Sequence, residues 1–485
     1  MYFDSLQYII FVPIVLAAYQ FMPSRWRWAV LLSASIGFYA ALRMPLLVIA
    51  WTLVVLTSYW CGRRISGEGN DLRRRTYLWA GVAAQLVILV SIKYLRNILR
   101  LILPGFEIST GGTEWFSTLG ISYYTLQAVS YLADVYLGMT EPERHLGRFA
   151  LYLGFFPKLL QGPIERAGDL LPQLRSLGSF NYANVRSGVL LFCWGLFKKV
   201  AVANRLAPFV TAVYYDPHGY SGISLIAATY MYAIQILADF SGYTDMALGV
   251  ARMFNIRLTE NFNSPYFATS IADFWRRWHI SFSRWILDYI FKPLQIQWRD
   301  ARKVGVVGAL LVTFLFSGLW HGSTLTFVAW GLLHGVYLAS SILLKPWREA
   351  VYHKIGLANH PWRRAFQAFV TFHLVVFAWI FFRASSIADS WYIATHLFVA
   401  ATTRISYATT VRGGVMGAIL NGRSARDFAM LGAAMTVWFL GSTFSKIVRL
   451  QDQPIWFRWS MYYAVILALV YLNAYDDVGF VYFQF

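Results

Sequence analysis

Two histidines near the middle of the chain are the residues best suited to acid–base chemistry. His279 follows the basic and aromatic run DFWRRW, and His321 lies in the small-residue segment SGLWHG. An ionisable side chain within apolar surroundings is costly and therefore marks a candidate functional site. A lone buried histidine more often has a structural role. We nevertheless favour catalysis for His321, because Gly318, Gly322 and Ser323 beside it permit close approach by another group.

Three other polar residues have competing explanations. Asp239 and Asp245 lie six residues apart in an apolar neighbourhood. Paired carboxylates can do acid–base work, but they can also pair with arginines such as Arg276 or Arg277, which is the explanation we favour. For His334, thirteen residues after the second histidine, helix packing is the better explanation.

The tetrapeptide Gln161–Ile164 (QGPI) is turn-forming and too polar to face lipid. Non-helical backbone at membrane depth is tolerated only where protein or water surrounds it. The segment is therefore either a simple turn or a loop that lines a cavity, and the sequence leaves both open.

The composition predicts a membrane protein. Of 485 residues, 58% are hydrophobic and only 13% are charged, whereas soluble domains have about 25% charged residues. Apolar runs near the length that crosses a bilayer recur along the chain. We therefore predict one all-α polytopic domain over residues 1–485 rather than several soluble domains.

The formal net charge of +19 permits nucleic-acid binding as one interpretation. The basic residues, however, stand mostly at the ends of apolar runs, as they do in cytoplasmic loops. We therefore predict no nucleic-acid partner. Cys61 and Cys193 show no metal-ligand spacing, so we predict inert packing roles for them and no metal site.

Charge also predicts the topology. Five arginines between residues 63 and 75 make that loop cytoplasmic, which places the amino terminus outside, and basic residues before the last span place the carboxyl terminus outside as well. We divide the chain into N-terminal spans (1–100), a catalytic core (116–345), C-terminal spans (346–474) and an extracytoplasmic tail (475–485). The predicted spans cover residues 1–23, 26–42, 45–61, 76–100, two passes within 304–344, 365–382, 428–445 and 457–474. Residues 186–215 and 221–238 are predicted to form further apolar helices, interrupted by Lys198–Lys199 and Asp216–Pro217.

The segment 271–289 has helical periodicity. At 100° per residue its aromatic side chains fall on one face and its arginines on the other, with His279 at the edge of the apolar face. This pattern predicts an interfacial amphipathic helix. Its arginines would hold lipid phosphates or the phosphates of a cytosolic acyl donor. The following segment, 304–344, has no charged residue and predicts a two-span hairpin with His321 toward the outer half of the bilayer.

In four motifs the sequence resembles the membrane-bound O-acyltransferase family, in its bacterial alginate-O-acetylation-like branch. The motifs, in order, are QGPI at 161–164, DFSGYTD at 239–245, FWRRWHIS at 274–281 and GLWHG at 318–322. The resemblance implies a ring of about 11–13 tilted, membrane-crossing helices around a thinned centre. A tunnel there would link a cytoplasmic donor site to an external acceptor site.

The resemblance also implies roles for individual residues. His321 would be the catalytic histidine and His279 a supporting one. The tail FVYF at 480–483 looks like the F-x-Y-F ending that a one-span partner carries in teichoic-acid D-alanylation, where its tyrosine is thought to relay the acyl group, so Tyr482 would be the relay here. The residues assigned to the substrate tunnel are Gln161, Trp278, Trp320, Ser281, Asp239, Tyr243, Arg276 and Arg277.

The predicted function is transfer of an acetyl group across the bacterial inner membrane for O-acetylation of an extracytoplasmic polysaccharide. The donor would be a cytosolic thioester, acetyl-CoA, with no permanently bound cofactor. An extracytoplasmic, SGNH-hydrolase-like acetyltransferase or another acyl-accepting partner would receive the group. One alternative is a D-alanyl transferase that uses an acylated carrier protein. Another is a transporter or flippase, which inverted repeats would favour; the sequence shows none.

Overall fold

The computed structural model describes residues 2–93, 102, 120–220, 222–356, 358, 360, 362–399, 425–447 and 452–474. Over these residues the chain is helical and has no β-strand, only an isolated bridge between Phe262 and Trp278. The α-helices, in chain order, are α1 (Leu6–Phe21), α2 (Arg27–Ala40), α3 (Pro45–Gly67), α4 (Asp71–Lys93), α5 (Ile121–Tyr136), α6 (Leu146–Gly154), α7 (Ala167–Arg175), α8 (Tyr182–Phe197), α9 (Asn204–Tyr215), α10 (Gly222–Met253), α11 (Ile271–Trp275), α12 (Ile280–Ile286), α13 (Lys292–Gln297), α14 (Arg302–His321), α15 (Leu325–Leu343), α16 (Lys345–Lys354), α17 (Trp362–Arg383), α18 (Ile387–His396), α19 (Ala425–Ile447) and α20 (Ile455–Tyr471).

Six helical segments among the described residues are long and apolar enough to cross a membrane. They are Pro45–Gly67, Asp71–Lys93, Gly222–Met253, Arg299–His321, Leu325–Leu343 and Trp362–Arg383. The shorter helices α1 and α20 are also apolar. The prediction of an all-α polytopic membrane protein is therefore confirmed.

Local sequence signals account for several helix starts. The side-chain oxygen of Ser5 accepts a hydrogen bond from the Tyr8 N–H at 3.3 Å and so caps α1. Helix α3 begins at Pro45, a position where the missing N–H of proline costs no helical hydrogen bond. In α11 the Ser270 hydroxyl accepts from the Asp273 N–H at 3.1 Å.

The described residues fall into two compact groups. The first contains residues from Met1–Gly195 and Tyr243–Glu260, and the second contains residues from Leu196–Gly242 and Asn261–Phe485. Each group is considered separately below. Both candidate histidines belong to the second group.

Two helices differ from those predicted: one is longer, and the other is broken in two. The apolar helix predicted to end at residue 238 continues as α10 to Met253, so the DFSGYTD motif is part of a 32-residue helix. Six residues of helix advance roughly 600°, which leaves the side chains of Asp239 and Asp245 roughly 120° apart rather than side by side. The single amphipathic helix predicted over 271–289 is instead broken into α11 and α12.

The hairpin of α14 and α15 depends on glycines at its interface. A Cβ atom built on Gly331 would lie 2.3 Å from the carbonyl oxygen of Phe314 and 3.1 Å from the Cα of Gly318. Small residues of this kind let two membrane helices pack with their backbones close together. The predicted two-pass segment is thus a tightly packed pair.

We therefore expect Gly331→Ala to destabilise the protein by about 1–3 kcal/mol, the usual cost of overpacking. The midpoint of thermal unfolding in detergent measures this. The matched control is Gly37→Ala in α2, where an added Cβ meets no atom within 4 Å. If the two variants unfold at the same temperature, the close approach at Gly331 contributes nothing to stability.

Candidate active site

His321 is the last residue of α14 and lies in an enclosure of aromatic rings. Only 6% of the residue is exposed. The centroid of its imidazole lies 4.8 Å from that of Trp320, 5.0 Å from that of Trp330 and 5.2 Å from that of Phe382. The chain leaves the helix at Gly322 in extended conformation. The fold therefore holds this imidazole away from bulk water at the end of a spanning helix.

The glycines beside His321 allow α14 and α15 to pack closely. A Cβ on Gly318 would lie 2.3 Å from the Phe327 carbonyl oxygen, and one on Gly322 would lie 2.1 Å from the Phe327 ring. The group that approaches these glycines closely is thus Phe327 of α15. These glycines were predicted to admit a reacting group, but they accommodate Phe327 in the packing of the two helices instead.

His279 occupies a strained turn between α11 and α12. Its φ angle is 43°, in the left-handed region that few non-glycine residues adopt. Asn261 holds the turn: its backbone carbonyl accepts from the Ile280 N–H at 3.0 Å, and its side-chain oxygen accepts from the Ser281 hydroxyl at 2.7 Å. The bridge between Phe262 and Trp278 reinforces the same contact. Backbone strain of this kind persists only where the surroundings fix it, as here.

His279 is buried rather than at the edge of an interfacial helix. Its residue exposure is 1%. Its ring centroid lies 4.8 Å from that of Phe240, 5.2 Å from that of Phe282 and 6.2 Å from that of Trp320. Phe282 and Trp320 also contact His321, at 5.6 Å and 4.8 Å. The two histidines therefore share two aromatic neighbours and belong to one site.

Burial lowers the pKa of His279 from 6.5 to about 3, so its imidazole is neutral at physiological pH. Because the folded-state pKa is the lower one, the unfolded chain binds the proton more tightly. The free energy of unfolding is therefore lowered when His279 must be protonated. The stability that depends on neutral His279 is fully present above pH 6.5 and is lost as the pH falls toward 3.

We expect His279→Asn to reduce the acid sensitivity of the fold, because asparagine tolerates positive φ but does not titrate. Between pH 7 and pH 5 the unchanged protein should lose roughly 2 kcal/mol more stability than the variant. Thermal unfolding at the two pH values measures the difference. Equal pH slopes for the two proteins would show that His279 titrates normally.

Asp239 forms a buried ion pair with Lys199. Its carboxylate accepts from the Lys199 ammonium at 2.8 Å, and both side chains are 1% exposed. The lysine lies in a π-helical segment, Lys198–Ala203, between α8 and α9. The ion-pair interpretation is thus confirmed, but the partner predicted from the sequence, Arg276 or Arg277, is wrong.

Both of those arginines contact Asp273 instead. Arg277 Nε lies 3.0 Å from one carboxylate oxygen and Arg276 lies 3.6 Å from the other. The Arg276 side chain is 72% exposed. Spacing of three and four residues around a helical turn accounts for both pairs. Neither arginine is in ring contact with the histidines.

Gln161 and Tyr243 meet in the first group. The Gln161 backbone N–H donates to the Tyr243 hydroxyl at 3.3 Å, within a buried non-helical segment that follows α6. Gln161 ends a turn of residues 156–161, and residues 162–164 continue without regular structure, so the segment is non-helical as predicted. Within the described chain, neither polar atom of the Gln161 side-chain amide has a hydrogen-bond partner, although the residue is 1% exposed.

Sequence reasoning missed four residues of the site: Lys199, Asn261, Trp330 and Phe382. A signal existed only for Lys199, because a lysine in an apolar helix requires a partner. For Asn261 the sequence offers no signal, because its partners in the turn lie about twenty residues further along the chain. Nothing in the sequence distinguishes Trp330 and Phe382 from other aromatic residues of apolar helices. They contact His321 only because α15 and α17 pack beside it.

Tyr482 lies outside the described residues. Before the tail, the chain is anchored in the second group: the Ala474 N–H donates to the Val200 carbonyl at 3.0 Å. The Arg205 guanidinium donates to the carbonyls of Leu472 and Asn473 at 3.0 and 3.1 Å. Ala474, the last described residue, therefore lies against the π-helical segment that contains Lys199.

Residues 144–387 match the model of the membrane-bound O-acyltransferase family. The chain is 34% identical over 394 residues to a probable alginate O-acetylase of Azotobacter vinelandii. The aligned region covers 80% of this chain and 76% of that protein. It is 32% identical over 401 residues to a peptidoglycan O-acetyltransferase of Helicobacter pylori, covering 75% and 72%. It is 28% identical over 276 residues to a teichoic acid D-alanyltransferase of Bacillus subtilis, covering 55% and 68%.

Proposed function

This chain belongs to the membrane-bound O-acyltransferase family and is an O-acyltransferase, and from that premise we propose that it moves an acetyl group from cytosolic acetyl-CoA to a hydroxyl on the outer side of the bacterial inner membrane. The final acceptor would be an extracytoplasmic polysaccharide. Two relatives named as O-acetylating enzymes support acetyl as the group transferred.

The observation that carries the mechanism is the enclosed position of His321 at the end of α14. Its imidazole takes the proton from an attacking hydroxyl, whose oxygen then bonds to the thioester carbonyl carbon. The carbon–sulfur bond breaks, and the thiolate of CoA receives the proton from the imidazolium. A hydroxyl needs such a base because it is a weak nucleophile while protonated.

His279 supports the reaction from the same aromatic enclosure. Its contacts with Phe282 and Trp320, which also contact His321, support a role in orienting the thioester or sharing the proton. A neutral imidazole offers one donor and one acceptor nitrogen for this purpose. Trp278 and Ser281, which the sequence assigned to the tunnel, act by fixing the turn that positions His279.

We assign the first attacking hydroxyl to Tyr482. A free phenol has a pKa of about 10 and requires a base at neutral pH. The hydrogen bonds that hold residues 472–474 in the second group, which also contains His321, support Tyr482 as the nucleophile for that histidine. An external acyl-accepting partner would then take the acetyl ester from the tyrosine.

Purified protein incubated with acetyl-labelled CoA tests this function. We expect stable label on Tyr482 that is absent from a Tyr482→Phe variant. Transfer that proceeds at the full rate in Tyr482→Phe would reduce the tail to a packing anchor and make the acceptor hydroxyl the direct nucleophile. No transfer from CoA to any hydroxyl would exclude the proposed donor.

A D-alanyl transferase is the second candidate, and the similarity to the Bacillus subtilis enzyme and the F-x-Y-F ending favour it. It would use an acylated carrier protein as the donor. Detection of acetate rather than alanine on the cell-envelope polymer decides between the two. The transporter alternative has no support, because the relatives compared above are named as transferases or acetylases.

A further inference from the structure

A cavity of about 460 Å³ opens between the short helices α11–α12 and the hairpin α14–α15, entirely within the second group. Ligand pockets in proteins range from about 300 to 1,000 Å³. The apolar part of its wall includes Trp275, Leu310, Phe314 and Leu338. Its volume is large enough for an apolar chain rather than a few waters.

Two arginines line the same cavity. Arg276 directly follows α11 and Arg284 lies in α12, and both residues are exposed. Residues 271–303 contain seven basic and three acidic residues. Leu310 and Phe314 lie on α14, about 12–18 Å of helix beyond Arg302, so this part of the apolar wall belongs to a helix long enough to cross a membrane.

From this arrangement we propose that the cavity binds one anionic phospholipid. One acyl chain lies along the apolar wall, and the phosphate is held by the guanidinium groups of Arg276 and Arg284. A guanidinium matches the geometry of a phosphate with two parallel hydrogen bonds. The excess of basic residues selects an anionic headgroup, since such segments attract anionic lipids of the cytoplasmic leaflet. A soluble anion would leave the apolar wall unused.

The occupant would also support the catalytic enclosure. Trp275 forms part of the cavity wall, and its indole N–H donates to His334 Nδ1 at 3.3 Å. Its ring lies 5.8 Å from Trp330, which lies 5.0 Å from His321. A lipid against Trp275 therefore buttresses the stack that positions His321. This consequence for activity rests on the proposed function, whereas the binding itself does not.

Delipidated full-length protein titrated with dioleoyl-phosphatidylglycerol tests the site, with bound lipid counted by native mass spectrometry. We expect at least tenfold weaker binding of dioleoyl-phosphatidylcholine. The double variant Arg276→Ala, Arg284→Ala should weaken phosphatidylglycerol binding by a similar factor, and Leu310→Trp should block the acyl chain. The control is Arg299→Ala, an exposed arginine of the same segment that does not line the cavity.

Three outcomes would overturn the proposal. Equal binding of the two lipids by the unchanged protein would remove the anionic selectivity, and this comparison needs no variant to fold. If glycerol phosphate protects the protein against thermal unfolding as well as phosphatidylglycerol does, the site binds a free anion rather than a lipid. Displacement of the lipid by acetyl-CoA would assign the cavity to the acyl donor. Failure of acetyl transfer, by contrast, would overturn the proposed function and leave the lipid counts standing.

Discussion

Replacement of His321 with alanine is expected to reduce acyl transfer by about 10²–10⁴-fold, the usual contribution of a general base. The change removes the base but leaves the enclosing rings Trp320, Trp330 and Phe382 in place. Expression and thermal stability should therefore change little relative to the loss of activity. The measurement is the initial rate of labelled acetyl transfer for each folded molecule.

His334→Ala is the matched control for that experiment. His334 is also a buried histidine of the hairpin, but its Nδ1 accepts from Trp275 and we expect its role to be packing. We expect this variant to lose stability while each folded molecule keeps most of its activity. Transfer within tenfold of normal in His321→Ala would remove His321 from the mechanism. Equal losses per folded molecule in both variants would indicate general disruption of the enclosure.

Asp239→Asn is expected to destabilise the protein by about 3–5 kcal/mol, because it removes the carboxylate that compensates a buried ammonium. The Lys199–Asp239 pair is 2.8 Å apart with both side chains 1% exposed. Thermal unfolding and the yield of folded protein measure the effect. This is the largest stability change we expect from a single charge in the described part of the chain.

The chain supplies its own control for burial. Lys292 and Asp288 form a pair at the same 2.8 Å, but their side chains are 56% and 41% exposed. Asp288→Asn should therefore cost no more than about 1 kcal/mol. If both substitutions have equal effects, burial does not govern the Asp239 pair.

A double variant distinguishes a structural role of Asp239 from an acid–base role. Asp239→Leu with Lys199→Met replaces the pair by apolar side chains, which often restores stability. If the pair is structural, the double variant should regain both stability and acyl transfer. Restored stability without activity would return Asp239 to the group of candidate catalytic acids.

Local patterns were sufficient for much of the fold. The helical class, the spans at 45–61 and 304–344 and the non-helical segment at QGPI follow from apolar run length, charge and turn-forming residues. These features depend on residues close together in the chain. The boundary at residue 238 was wrong because a polar motif within an apolar run resembles a helix end when its buried partner, Lys199, is forty residues away.

The turn at His279 shows the same limit. Helical periodicity continues without interruption through residues 271–289, and nothing local indicates a break. The break arises because Asn261 binds the backbone of Ile280 and the side chain of Ser281, and this contact fixes His279 with a φ of 43°. A hydrogen bond from a distant segment thus outweighs the local preference for helix.

The sequence by itself determined that this is a polytopic membrane acyltransferase, and which two histidines are candidates for its chemistry, because motif residues and apolar run lengths are properties of neighbouring positions. Only the tertiary structure decided that Phe282 and Trp320 join those histidines into one site and that Lys199 neutralises Asp239. Both results depend on burial. Ring contacts and the pairing of charges away from water are set by which helices pack together, and no local pattern specifies that.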